Sequence, residues 1–414
     1  MSANHESVLV VGGGMAGITA AVESADLGRE VYLVEKAPTL GGRVAGMKHY
    51  FPKLCPPYCG LEINYRRIKE NPRITVLTSA EVEKIDGGTG DFTVTVTVRP
   101  RYVRAEVPDP VGPYAALAPS LANGFDHALS QKRAVQVPHE LAFPYQAVVD
   151  EAALADAGLA AQLAALPGVD LTQRPQTLTL KVGAVIWATG WRPYDASRIA
   201  YLKYAEYADV ITSLEMERLA APNGPTRGTL ARPSDGRAAR RVAFIQCAGS
   251  RDEAHLPYCS AVCCMASLKQ ATYVREADPD AEVWVFYIDI RANKYESFYR
   301  KVQSDPQVHF VKGKPGAVMR DPGTGDLLVL CEDGATGQVV QVPVDLVVLA
   351  TGIVPQTADE KVPCEGLRYD EFGFLIAAPG GPAIYPAGCV KRPADVAASV
   401  QDATGASLRA LRTL

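Results

Sequence analysis

The chain has 414 residues, 42 Lys+Arg against 46 Asp+Glu for a net charge of −4, and 48% apolar residues. At roughly 100–200 residues per domain, that length predicts two or three domains with ample core. The charge balance excludes a strongly basic nucleic-acid binder and an acidic disordered chain. No apolar run approaches the ~20 residues a membrane-spanning helix needs. The polar opening, residues 1–6, has no secretory pattern, so the expected location is cytoplasmic, with any membrane contact made through partners. Nine cysteines in such a chain point to reduced thiols, metal ligation or redox chemistry rather than a disulfide framework.

Val8–Val11 reads as a short apolar strand, followed at once by Gly12-Gly13-Gly14-Met15-Ala16-Gly17. Ile18, Ala21, Val22 and Ala25 then mark one face of a helix ending near Gly28. Residues 30–35 and 73–77 give two more strands, and 92–98 (FTVTVTV) has the alternation of a hairpin strand. The stretch 105–179 differs: it is rich in Pro and Ala, and only 151–166 has a helical pattern. It reads as an insertion or linker. A strand returns at 184–189 and ends in Ala188-Thr189-Gly190.

A second α/β unit opens with strand 241–246, passes through a cysteine cluster and enters a helix ending near Arg275. Strands follow at 282–288 and 308–311, then a hairpin of 327–331 and 338–342 around Asp333-Gly334. Residues 345–350 end in Ala350-Thr351-Gly352, a second copy of the earlier turn, and Val396–Leu411 is the closing helix. The expected fold class is α/β. A Rossmann-like domain is built from 1–104, 181–224 and 345–414, a second Rossmann-like domain (225–344) is inserted into it, and 105–180 is the linking insertion.

Gly12-x-Gly14-x-x-Gly17 follows a strand, opens a helix and is followed by Glu35 at the end of the next strand, the context of a dinucleotide site. The first glycine allows the tight turn, the second lets backbone approach the pyrophosphate, and the third lets helix and strand pack closely. The helix N-terminus faces the phosphate charge, and Glu35 is placed for a ribose hydroxyl. Gly41-Gly42-Arg43, the paired Ala-Thr-Gly strands and Ala387-Gly388 resemble flavoproteins built from two dinucleotide-binding domains, which favours FAD over NAD. Such flavoproteins usually carry Asp after Ala-Gly; here Cys389 stands in its place.

After strand 241–246 an NAD(P) domain presents a second glycine loop, whereas this sequence has Cys247-Ala248-Gly249-Ser250. The pattern Cys247-x11-Cys259-x3-Cys263-Cys264 replaces it. Four thiolates hold a [4Fe–4S] cluster or tetrahedral zinc, and four buried small thiols are the third reading that spacing leaves open.

At these residues the chain resembles the A-type flavoprotein subunit of heterodisulfide reductases. The matching stretches are 12–17, 41–43, 245–271 (IQCAGSRDEAHLPYCSAVCCMASLKQA), 287–299 (YIDIRANKYESFY), 345–355 and 388–403. The resemblance implies FAD at Gly12, Gly14, Met15, Ala16, Gly17, Glu35, Lys36, Gly42, Arg43, Val82, Ala188, Thr189, Gly190, Gly388 and Cys389. It also implies a [4Fe–4S] cluster on Cys247, Cys259, Cys263 and Cys264, with Lys269 approaching the flavin ring as the catalytic cation. Without the resemblance, Lys269 reads as a solvated lysine on an amphipathic helix.

That family carries ferredoxin cysteines in an insert where this chain, around Gln131-Lys132-Arg133-Ala134, has none. In this it resembles the family's quinone-interacting membrane-bound oxidoreductase branch. That branch implies three partners: a quinone-binding membrane subunit, adenylylsulfate reductase and a second flavin/iron–sulfur subunit, with electrons carried to or from menaquinone. Cys55-Pro56-Pro57-Tyr58-Cys59 reads as two inert thiols in a proline-rigid loop rather than a redox pair beside the flavin. Two competing functions are a self-sufficient NAD(P)H-dependent disulfide reductase acting through Cys55 and Cys59, and a zinc-stapled flavin scaffold. The missing second glycine loop counts against the first of these.

Overall fold

The computed structural model describes residues 5–104, 107, 109, 111–117, 119–378 and 380–414. The polar residues 1–4 and Ala105, where the expected insertion begins, lie outside the described residues. Val8–Val11 is buried along its whole length at the centre of a five-stranded parallel sheet. Ala184–Trp187 and Val31–Glu35 flank it, with Ile384–Pro386 and Ile74–Thr78 at the edges. A strand covered on both faces needs an unbroken apolar run, which explains why VLVV and AVIW do not alternate. Helix Met15–Asp26 covers one face, and the closing helix Val396–Leu411 lies against it, Ser407 donating to the Ala20 carbonyl at 3.3 Å.

A three-stranded antiparallel sheet of Ala80–Gly88, Asp91–Val98 and Gln176–Val182 hangs from this domain. The period-2 pattern sets its register, with Phe92, Val94 and Val96 all pointing into the core. The expected boundary at 180 therefore falls inside a strand.

The second sheet is also parallel: Val210–Thr212, Leu346–Thr351, Arg241–Ala248, Glu282–Tyr287 and Val308–Lys312, in that order. The hairpin Leu327–Asp333 with Gln338–Val344 stands as expected, joined by Ala317–Arg320. Two strands expected in the first domain, Val210–Thr212 and Leu346–Thr351, pair here instead. The chain crosses between the domains at Trp191–Pro193 and Ile353–Pro355, which pair antiparallel. Each crossing strand directly follows one of the two Ala-Thr-Gly turns, so the repeated tripeptide marks the ends of one strand in each sheet.

The segment 105–180 is more than a linker. Ser120–Ala122 pairs with Gln131–Arg133 and Val135–Gln136 with Val148–Val149, around a small core that includes Tyr114, Val135, Val149 and Leu163. The helix expected over 151–166 is two, Glu151–Leu154 and Ala157–Ala164. Asp156 breaks them apart because its carboxylate caps the second, accepting from Gly158 N at 2.8 Å and Leu159 N at 3.0 Å. Among the described residues no helix is long and apolar enough to cross a membrane.

One buried arginine ties the three parts together. Arg218, 1% exposed on helix Ser213–Ala220 of the second domain, pairs with Asp126 of the inserted segment at 2.7 Å. It also donates to the Gly46 carbonyl of the first domain at 3.2 Å and lies 4.5 Å over the Phe125 ring. Removing one member of a buried pair strands the other charge, which costs about 3–5 kcal/mol. Arg218→Met is therefore expected to lower the urea-unfolding free energy by that amount, and Asp126→Asn in the same background to recover part of it. A loss below about 1 kcal/mol in urea titration would count against the tie.

Candidate functional site

The turn after the first strand is shaped by what cannot fit in it. Gly12 has φ +108°, and a Cβ there would lie 2.3 Å from the Ala188 carbonyl oxygen. A Cβ on Gly17 would lie 1.7 Å from the Gly12 oxygen, and one on Gly13 2.5 Å from Leu40 Cδ2 and 2.9 Å from Glu35 Oε2. Gly14 differs: its Cβ would meet nothing nearer than Gly42 Cα at 4.0 Å. The protein itself demands glycine at 12, 13 and 17, while the bare face of Gly14 opens onto a cavity.

That cavity, about 1010 Å³, lies where the first domain, the second domain and the inserted segment meet. Of the sequence-derived cofactor residues, Gly12, Gly14, Met15, Ala16, Glu35, Lys36, Gly42, Arg43, Val82, Ala188, Thr189, Gly190 and Cys389 line it. Gly17 and Gly388 stand behind the wall, Gly388 so close that a Cβ would sit 2.9 Å from that of Ala16. Glu35 is held at the wall by Gly13 N at 2.5 Å and Ala37 N at 2.7 Å, and burial raises its pKa. Lys36 reaches outward to Glu81 and Glu360 at 3.0 and 3.1 Å.

Arg43 donates from Nε to the Trp191 carbonyl at 2.7 Å with its guanidinium 4.8 Å over the Trp191 ring, and burial pulls its pKa down to about 10. Trp187 Nε1 and Thr189 Oγ1, on two lining residues, are buried without a hydrogen-bond partner in the protein. A bare glycine turn, an acidic strand end, a buried cation and two orphaned donors in one cavity fit a dinucleotide such as FAD.

At position 389 the thiol is buried and donates to the Ala394 carbonyl at 3.3 Å, and burial raises its pKa. The carboxylate that lines the cavity at this end is Asp395, which caps the closing helix, while another carboxylate of that helix holds the motif's backbone. Asp402 accepts from Gly388 N at 2.9 Å and pairs with Lys391 at 2.5 Å.

The loop that follows strand Arg241–Ala248 is tightly packed. Cys247 takes φ +56°, and a Cβ on Gly249 would lie 2.4 Å from the Tyr194 ring. Ser250 and Ser260 hydroxyls bond at 2.8 Å, and Ser260 Oγ accepts from Ile353 N at 2.8 Å. Cys247, Cys263 and Cys264 are buried, and Cys259 is half-buried. Two of the four sulfurs accept from N–H donors, Cys259 from Ala261 N at 3.4 Å and Cys264 from Arg291 N at 3.5 Å.

Burial, reinforced by the neighbouring thiols, raises the pKa of Cys263 far and that of Cys264 to about 11. Among the described residues no three Cys, His, Asp or Glu side chains are grouped to hold a single metal ion. Four thiols on one loop and helix start, two of them accepting from N–H groups, are the donor chemistry of an iron–sulfur cluster. Cys263 also lines the cavity. Cys331 sits in the core of the second domain and Cys364 against that of the first.

Lys269 is not a solvated lysine. It is 3% exposed on helix Cys263–Ala277, lines the cavity, and pairs with Glu217 at 2.8 Å while donating to the His49 carbonyl at 2.6 Å. Glu217 also accepts from Gln270 at 2.6 Å and from Tyr273 at 3.2 Å. The sequence offers no signal for Glu217, which lies on a different helix. Nor does it point to Phe125, His127 and His139, which line the cavity from the inserted segment. Their ring contact, Phe125 on His139 at 4.6 Å, and the Arg218 charge nearby accompany a His139 pKa pulled down to about 4, chiefly by burial.

The glycines separate folding from binding. Gly14→Val is expected to keep the wild-type circular dichroism and melting temperature while the purified protein loses its flavin absorbance, because the new side chain meets only the cavity. Gly17→Val is expected to lose the fold. Full flavin occupancy in Gly14→Val would sink this placement of the pyrophosphate.

Residues 7–69 match the family model for FAD-dependent oxidoreductases. Over 97% of its length the chain is 38% identical to the A-type iron-sulfur subunit of CoB–CoM heterodisulfide reductase from Methanocaldococcus jannaschii, covering 63% of that protein. It is 37% identical over 98% of its length to a protein of the same kind from Methanopyrus kandleri, covering 64%. It is 34% identical over 99% of its length to the A-type subunit of the ferredoxin:CoB-CoM heterodisulfide reductase of Methanosarcina mazei, covering 53%. The chain thus spans less than two thirds of the length of these relatives. Among solved structures, T. acidophilum thioredoxin reductase superposes with a TM-score of 0.53 at 16% identity, covering 98% of this chain and 97% of that one. Lactococcus lactis thioredoxin reductase gives 0.54 at 13%, covering 99% and 98%. The chain has the α/β fold of FAD-dependent oxidoreductases with two Rossmann-like domains, and nearly all of it is similar to part of the A-type subunit of heterodisulfide reductases.

Proposed function

We propose that the chain is the flavin- and iron–sulfur-bearing electron-transfer subunit of a heterodisulfide-reductase-type complex. The carrying observation is that one cavity is lined both by the glycine turn and by Cys263, so a dinucleotide cofactor and a cysteine-held cluster would be neighbours. FAD would supply the two-electron centre and a [4Fe–4S] cluster the one-electron centre, so that electron pairs are exchanged as single electrons with protein partners.

In this reading Gly12, Gly14, Met15, Ala16 and Gly17 bind the pyrophosphate through backbone and helix N-terminus, with Cys389 on the wall and Gly388 packed behind it. Glu35 and Lys36 mark the ribose end, and Val82, Gly42, Arg43, Ala188, Thr189 and Gly190 complete the wall. Cys247, Cys259, Cys263 and Cys264 ligate the cluster. Lys269 places a cation at the cavity between the two centres, where it favours a reduced, anionic flavin. Glu217 and the His49 carbonyl fix its ammonium. The inserted segment closes the third side and keeps water from the site.

A second, narrower reading assigns the chain to the quinone-interacting membrane-bound oxidoreductase branch. Its support is the cysteine-free segment 105–180, which packs around its own small core. There the partners would be a quinone-binding membrane subunit, adenylylsulfate reductase and a second flavin/iron–sulfur subunit, with the chain in the cytoplasm and held at the membrane through them. Affinity purification from a detergent-solubilised native membrane fraction tests it: those partners should come down together. Recovery with the other components of a heterodisulfide reductase instead would assign the chain to the first reading alone.

Single Ser substitutions at Cys247, Cys259, Cys263 or Cys264 are expected to remove or convert the iron signal while flavin stays bound. Cys331→Ser and Cys364→Ser are expected to change neither. The opposite pattern would break the ligand set. Because Tyr194 fills the space beside Gly249, NADH and NADPH should not bleach the flavin under anaerobic conditions. Rapid bleaching would restore the self-sufficient reductase. Lys269→Met should lower the flavin midpoint potential by about 30 mV or more, ~1.4 kcal/mol for a two-electron couple. An unchanged potential would remove Lys269 from the site.

A further inference from the structure

Segment 46–59 runs from the cavity to the surface. Gly46, Met47 and Phe51 line the cavity, the His49 carbonyl accepts from Lys269, and the segment ends at exposed Cys59 in the first turn of helix Pro57–Glu70. Cys55 lies just before that helix, half-buried, and its position is fixed on both sides. Tyr50 N donates to the Cys55 carbonyl at 3.0 Å, and Leu54 N to the Tyr50 carbonyl at 3.0 Å. The Tyr50 hydroxyl rests where a Cβ on Gly60 would be, 3.0 Å away. Pro56 and Pro57 restrict the backbone between the thiols. Cys55 and Cys59 are both free; the Cys55 thiol donates to the Lys53 carbonyl at 3.7 Å, and burial together with the nearby Cys59 sulfur raises its pKa. Two neighbouring thiols on a restricted loop, one exposed and one half-buried, form more than an inert pair.

We propose that Cys55 and Cys59 form a reversible dithiol–disulfide site that reacts with small external disulfides, with Cys59 as the attacking thiol and Cys55 as the resolving one. The Cys59 thiolate attacks one sulfur of the external disulfide, which forms a mixed disulfide and releases one thiolate. Cys55 then attacks Cys59 Sγ, closing the internal disulfide and releasing the second thiolate. The protein pair loses two electrons and two protons, and the external disulfide is reduced to two thiols. The order follows from access, since Cys59 is the exposed member and Cys55 the shielded one. The site stands apart from the flavin reading and holds whether or not that reading does.

The test exposes the purified full chain to excess glutathione disulfide, blocks remaining thiols, and maps residues 55–59 by mass spectrometry. The expected product is a bridged peptide lacking two hydrogens, restored by dithiothreitol. Cys55→Ser should instead trap a stable glutathione adduct on Cys59, and Cys59→Ser should slow modification at Cys55 about tenfold. Two unbridged, fully alkylatable cysteines after treatment would overturn the proposal. So would separate adducts on both residues in the wild-type chain, or unslowed modification of Cys55 in Cys59→Ser. Flavin content and circular dichroism of each variant, expected to be unchanged for these surface positions, check that the fold is intact.

Discussion

Everything in the site hangs on the close approach of the first strand–helix turn to the end of the neighbouring strand. The Gly12 oxygen stands where any side chain at Gly17 would be, and the Ala188 oxygen where one at Gly12 would be. That contact fixes helix Met15–Asp26 over the sheet and sets Ala188-Thr189-Gly190 at the cavity wall. It also points the crossing strand Trp191–Pro193 toward the second domain. With the turn so tight, the helix N-terminus and Gly14 face open space, and the phosphate-binding character of the region follows from geometry rather than from any charged side chain.

The second dependence is electrostatic. Lys269–Glu217, between two helices of the second domain, and Arg218–Asp126, between one of those helices and the inserted segment, are ion pairs that are both almost fully buried. Pairs of this kind contribute little net stability, but they penalise any arrangement that separates their members. Because Lys269 also meets the His49 carbonyl and Arg218 the Gly46 carbonyl, both pairs lock the second domain onto the same short segment of the first. The cavity is held in shape by charges that have nowhere else to go.

Local signals made much of this legible. The strand-turn-helix around Gly12, Gly14 and Gly17, the two Ala-Thr-Gly strand ends and the cysteine block all rest on near-neighbour chemistry, and the structure brings most of the residues they named to one cavity. What stayed hidden depends on contacts between distant segments. Glu217 pairs with Lys269 from a separate helix, Asp402 holds the Gly388 backbone from the closing helix, and His139 reaches the cavity from a segment with no motif. The helix pattern over 151–166 failed for a different reason. Alanine and leucine propensity runs straight through Asp156, but its carboxylate gains more by capping a new helix than by lying inside an old one.

The central claim is that the cysteines of the second domain hold an iron–sulfur cluster next to a flavin bound at the glycine turn. The most direct measurement is flavin, iron, acid-labile sulfide and zinc content of the same anaerobically purified sample. The account predicts about one flavin with about four iron and four sulfide per chain, and no stoichiometric zinc. Stoichiometric zinc, or full flavin with no iron after anaerobic reconstitution with iron and sulfide, would contradict it.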